Sequence, residues 1–153
     1  MESQFKILAE LYGKLIKPNG EILNLGLLST KYITDAFAEY YIDCLQGLET
    51  GIADFKYHDS GTGTTAEAVT QTTLITPTGV ARVAGTQVEG STAKVYQSVG
   101  TITYDGVYSI TEWGLFNALT NSTLMDRAVF TAVSVTNGFK LQFTYNHTAL
   151  SGG

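Results

Sequence analysis

The feature that most constrains this chain lies near its C-terminal end, in AVFTAVSVTNGFKLQFTY. Leu141, Phe143 and Tyr145 alternate with Lys140, Gln142 and Thr144, the period-two pattern of a strand with one buried face. Ala128 to Val135 is apolar on both parities and reads as a central strand. Thr136-Asn137-Gly138 joins the two segments, and Asn-Gly predicts a tight hairpin with positive φ at both turn residues. Strands of eight to twelve residues with Gly-rich turns continue from Val80 to Leu150. The expected fold is therefore mainly β, an antiparallel β-sandwich or barrel.

The chain changes character near residue 60. Nineteen of its 22 threonines follow that point, whereas 14 of its 23 charged residues precede it. Early on, Pro18-Asn19-Gly20 sits between KLIK and EILN and predicts a short hairpin. Ile33, Phe37, Tyr40, Tyr41, Cys44 and Leu48 then recur at spacings of three and four, which predicts one amphipathic helix over about residues 31–48. Thr30 or Thr34 is placed to cap its start, and Gly47 or Gly51 to end it. Residues 1–20 read as an N-terminal arm and the start of the hairpin, and 21–153 as a single β-rich domain, a size that supports one core. Phe5, Leu8, Leu11, Tyr12 and Leu15, together with Ile7, make the arm apolar and are the interface candidates.

Composition narrows the function. Of 153 residues only 15% are charged, against roughly 25% in an average soluble protein, and the formal charge is −5. That gives no basic footprint for nucleic acid. No apolar run approaches the roughly 18 residues of a membrane span, and no signal-peptide core stands at the start, so synthesis in a cytoplasm is expected. Cys44, the one cysteine, can form no internal disulfide and reads as a small buried hydrophobe. The sequons at Asn121 and Asn146 read as chance matches without a secretory route.

YHDSGTGTTAEA, residues 57–68, gathers residue types that could do chemistry. A phosphate loop needs a Lys after its second Gly, and none is present. A Ser-His-Asp triad needs convergent side chains, but His58, Asp59 and Ser60 are consecutive, and alternation sends the middle one away. His58 and His147 have no partner at metal-ligand spacing. The stretch is expected to be a surface loop, with Gly61 and Gly63 at positive φ and His58 and Asp59 making local hydrogen bonds. Neither catalytic residues, a cofactor nor a metal is expected. One carboxylate stands out: Glu112 shares parity with Ile110, and Arg127 with Val129, Thr131 and Val133. A hairpin turning about residues 119 and 120 puts 112 opposite 127, which predicts a partly buried ion pair.

FKYHDSGTGTTAEAVTQTTL, then the run from ARVAGTQVEGSTAKVYQSVG through ITEWGLFNALTNSTLMDRAVF, and the ending LQFTYNHTALSGG, resemble a family of small structural proteins of tailed bacteriophages, from about Gly13 to Gly153. The ITEWGLF…LMDRAVF hairpin is also similar to one in phage tail-fibre proteins. The resemblance implies a non-enzymatic virion component, with head decoration (cement) first and a tail or head fibre or adaptor second. A carbohydrate- or receptor-binding β module is the further alternative. The implied partners are the major capsid protein or other virion proteins and further copies of the chain, a trimer among the options. Nucleic acid and membrane are not among them.

Overall fold

A computed structural model describes residues 4–152. The chain order is β1 (Gln4–Ile16), β2 (Ile22–Lys31), α1 (Asp35–Leu45), a 3-10 turn (Ile52–Asp54), β3 (Tyr57–Gly61), β4 (Val83–Ala84), β5 (Thr86–Glu89), β6 (Val95–Thr103), β7 (Tyr108–Phe116), β8 (Leu124–Val135) and β9 (Lys140–Gly152). The strands form a five-stranded sheet, β2-β1-β9-β6-β5, and a four-stranded sheet, β4-β3-β7-β8. Every strand pair is antiparallel. Two open sheets replace the barrel alternative: their inner faces meet in one apolar core instead of closing on themselves.

Alternation builds that core. Leu141, Phe143 and Tyr145 of β9 and Leu11 and Leu15 of β1 face Trp113 and Leu115 of β7 and Ala128 and Phe130 of β8. Trp113 sits at the centre, its ring 5.2 Å from that of Tyr145 and 6.2 Å from that of Phe143. Tilted aromatic pairs at such distances add to simple area burial.

The helix is shorter than its periodicity suggests. Thr34 caps it, accepting from the Phe37 amide and donating to the Leu124 carbonyl, so Tyr32 and Ile33 stay outside it. Just beyond its end, Gly47 turns the chain at φ 76°. In the β8–β9 connection only Gly138 has positive φ, 87°. The Phe139 amide reaches the Thr136 carbonyl at 3.0 Å, so this is a turn with one left-handed residue instead of two.

The N-terminal arm is the main correction. Gln4 to Ile16 pairs with β9 along its whole length, from Gln4↔Gly152 to Ile16↔Lys140, and its other edge pairs with β2. β1 is thus an interior strand. Ala9, Leu11 and Leu15 are buried in the core, while Leu8 and Tyr12 point to the opposite face and are half-buried. Residues 1–3, and the side chain of the interface candidate Phe5, lie outside the described residues. The reason is periodicity: Ile7, Ala9, Leu11, Gly13 and Leu15 share one parity, a strand pattern that the apolar pairs at 7, 8 and 11, 12 obscure.

Leu11→Ala is expected to lower the unfolding free energy by about 2–5 kcal/mol, measured by urea denaturation. Removal of residues 1–12 is expected to leave no cooperative transition, because it strips β9 of its neighbour. A truncated chain that melts like the full one would restore the detachable arm.

Candidate functional site

Of residues 57–68, expected to be a surface loop, Tyr57–Gly61 is a buried strand, whereas 62–68 forms no strand. His58 and Ser60 of β3 point between the sheets, and Asp59 and Gly61 point outward, where β7 supplies Glu112 and Gly114 as paired neighbours. Alternation does separate the three polar residues, and each has its own structural partner.

His58 is fully buried. Its Nδ1 accepts from the Trp113 Nε1–H at 3.1 Å, and its Nε2 lies 2.8 Å from Ser98 Oγ. An indole can only donate, so the neutral ring carries its proton on Nε2 and donates to Ser98. That is the reverse of the arrangement in which a histidine takes a proton from a serine nucleophile. Burial pushes the ring's pKa down to about 3, so it stays neutral. This Ser–His contact fastens β3 to β6 and is not a nucleophilic dyad. Ser60 Oγ makes a parallel tie to Tyr104 Oη at 2.8 Å.

On the outer face of the smaller sheet, Glu112 and Arg127 form the expected ion pair, with Arg127 Nε donating to Oε2 at 2.8 Å and Nη2 at 2.7 Å from the same oxygen. The register is not the expected one. Glu112 pairs with Val129 and Arg127 with Gly114, with bulges on either side. A shift of two residues preserves facing, so the partners meet on the diagonal. Both side chains are at most 1% exposed.

Their surroundings explain how such burial is tolerated. The segment 62–78 crosses over this face and directs its amides at the carboxylate: Gly63 and Thr76 donate to Oε1 at 3.1 and 2.7 Å, and Ile75 donates to Oε2 at 3.0 Å. Arg127 Nη1 in turn donates to the Thr65 carbonyl and to Gln71 Oε1. Burial alone would raise the Glu112 pKa, but the Thr76 and Ile75 amides and Arg127 outweigh it and hold the carboxyl below its ordinary value. Gly61 and Gly63 are therefore not left-handed turn residues. A Cβ on Gly63 would lie 2.6 Å from Glu112 Oε1, and one on Gly61 would strike both that oxygen and the Thr76 carbonyl. They are glycines because the carboxylate occupies the side-chain space.

Sequence reasoning missed a second such pair. Arg82 Nε donates to Asp59 Oδ2 at 3.0 Å, its Nη1 donates to Ala118 O and Ser122 Oγ, and its guanidinium lies 3.6 Å from the centroid of the Phe116 ring. No local spacing announces it, since the partners are 23 residues apart. Also missed was Asp126, which points inward on β8 beside the Tyr145 hydroxyl. Burial lifts its pKa to about 8.

Two surfaces remain unsatisfied in a different sense. Ile22, Leu23 and Leu27 on the edge strand β2 are 59%, 41% and 52% exposed. Between α1 and the start of β1 runs an apolar groove of about 570 Å³, bordered by Ile7, Leu8, Tyr32, Phe37, Ile42 and Leu150. Among the described residues no cluster of three or more His, Cys, Asp or Glu could hold a metal ion, and no helix is long and apolar enough to cross a membrane. Comparison with protein-family models, with curated proteins and with solved structures finds no match to this chain.

Two outcomes are expected. Glu112→Ala strands a buried guanidinium and three amides, whereas Arg127→Ala leaves Glu112 its three amides, so the first should cost more. Each loss is of order 3–5 kcal/mol, and a double-mutant cycle in urea should give a clear coupling energy; additive losses would contradict the pairing. Stability should also peak near pH 6.5. Below that, His58 and His147, with folded pKa values near 3 and 4, leave the unfolded chain binding more protons, so stability falls with acid. Above it, Asp126 still holds a proton that the unfolded chain has lost, so stability falls with rising pH until about 8. Asp126→Asn should flatten that alkaline limb in melting curves taken from pH 6.5 to 8.5.

Proposed function

We propose that this chain is a non-enzymatic structural protein of a tailed-bacteriophage virion, folded as a β-sandwich and decorating the outside of the head as a cement protein. The observation that carries the docking part of this reading is the apolar edge of the β1–β2 hairpin, where Ile22, Leu23 and Leu27 stand in solvent on the outermost strand of the larger sheet. Exposed large apolar side chains gathered on one element mark an interaction surface. An edge strand also offers unpaired amides and carbonyls to a partner.

The polar interior supports the same reading. The residue types that could do chemistry, His58, Ser60, Asp59, Glu112 and Arg127, are all buried and each is committed to a hydrogen-bonding partner within the fold. The resemblance of the sequence to phage structural proteins, along most of its length, supplies the virion assignment. A net charge of −5 suits an outer shell surface, because packaged DNA repels it. Decoration gains strength from repetition: one modest interface, copied over a lattice, holds where a single contact would not.

The test is attachment. Purified chain should co-sediment with particles of the encoding phage and label the head in electron micrographs. Ile22→Asp with Leu27→Asp, both at exposed positions, should leave the far-ultraviolet spectrum and the melting temperature nearly unchanged and abolish co-sedimentation. Full binding by the double variant would remove the hairpin from the interface. Label confined to tails would move the assignment to a fibre or adaptor.

A further inference from the structure

We propose that the groove beside α1 is a self-association surface, occupied by the same groove of a second copy of this chain across a two-fold axis. The helix carries two apolar faces. Its inner face packs Phe37 and Tyr40 edge-on against Phe55, at ring separations of 5.0 and 5.2 Å. Its outer face repeats Ala38, Tyr41, Ile42 and Leu45 at i, i+3, i+4 and i+7, with Tyr41, Ile42 and Leu45 at 38%, 48% and 68% exposure. A surface helix ordinarily has a single apolar stripe, and a helix apolar on both sides is covered on both. Ala38, Tyr41 and Ile42 of the outer stripe form one wall of the groove; Ile7, Leu8 and Leu150 form the other. A seam with helical spacing is shaped for another helix, and α1 is the one α-helix among the described residues.

Charge selects a second copy over an unrelated helix. Lys6 stands on the β1 side of the groove. On the far side of the outer stripe, Glu39 and Asp43 border a shallower hollow that shares Ala38 and Ile42 with the groove. The salt bridges among the described residues use Lys17, Lys31, Arg82 and Arg127 with Glu21, Glu67, Asp59 and Glu112; Lys6, Glu39 and Asp43 are in none of them. The surface is thus positive on one side of an apolar stripe and negative on the other. An isologous contact, in which one patch meets itself, matches these signs when its axis runs alongside α1. The outer stripes then meet at the centre, and Lys6 of each copy faces Glu39 and Asp43 of the other. The contact involves neither Ile22 nor Leu27, so it stands or falls apart from particle binding.

Sedimentation equilibrium of the full chain at tens of micromolar should give the mass of a dimer. Ile42→Glu, at an exposed position, should give a monomer with an unchanged circular dichroism spectrum. Lys6→Glu alone and Glu39→Lys with Asp43→Lys alone should each weaken the dimer about tenfold or more, since both replace attraction by repulsion at two symmetric places. An equimolar mixture of those two variants should dimerise at least as well as the wild type, because each charge then meets its opposite. A monomeric wild type, a trimer or larger ring, a dimer indifferent to Ile42→Glu, or a mixture that fails to recover would each overturn the proposal.

Discussion

Glu112 must keep a negative charge where no water reaches it, and much of the smaller sheet is arranged around that requirement. A buried carboxylate is tolerated only when it is paired and its remaining lone pairs are filled. Arg127 supplies the pairing from the neighbouring strand, and the amides of Gly63, Ile75 and Thr76 supply the rest. The dependence runs both ways. Those amides belong to a Thr-rich segment that forms no strand between Thr62 and Arg82, so the carboxylate is what its buried donors have in place of a ladder partner. The segment in turn covers the outer face of β7 and β8, and Glu67 from within it accepts the Val129 amide at 2.6 Å on the open edge of β8. An anchored loop thus also blunts an edge that could pair with another chain.

Between the two sheets, polar residues align the two layers. Apolar faces can slide over one another at little cost, whereas a hydrogen bond across the layers has one register. His58 to Ser98 and Ser60 to Tyr104 are two such bonds, both buried, running from β3 to β6 and to the residue that follows it. This use of His58 consumes its chemistry: the Trp113 donor fixes the tautomer and burial holds the ring neutral. What the molecule leaves available is apolar surface on β2 and α1.

The β class, the single helix and the Glu112–Arg127 pair were legible because each depends on parity or on spacing within one hairpin. Parity survived even where register did not, since a slip of two residues keeps both partners on one face. Two other expectations failed for physical reasons. The N-terminal segment was read by the summed hydrophobicity of residues 5–15, although the odd-numbered set Ile7, Ala9, Leu11 and Leu15 alone carried the strand signal. Tyr57 to Gly61 was read as a loop from its polar content and its glycines. Its polarity belongs to buried tertiary partners at residues 82, 98 and 104, and nothing local encodes them. The outward stripe on α1 was not legible, because the spacing of three and four admits Tyr41 to one face with Phe37, Tyr40 and Cys44.

Glu112 is the anchor for a segment whose own pairing is limited to the single bridge between Gly61 and Pro77. Amide hydrogen exchange reads this directly, since an amide exchanges only when its bond opens. The Gly63, Ile75 and Thr76 amides are predicted to exchange as slowly as those of Phe143 and Trp113 in the core strands, far more slowly than Gln71 in the same segment. Protection no greater than that of Gln71 would contradict the anchor, and with it the explanation of how this face of the sheet is closed.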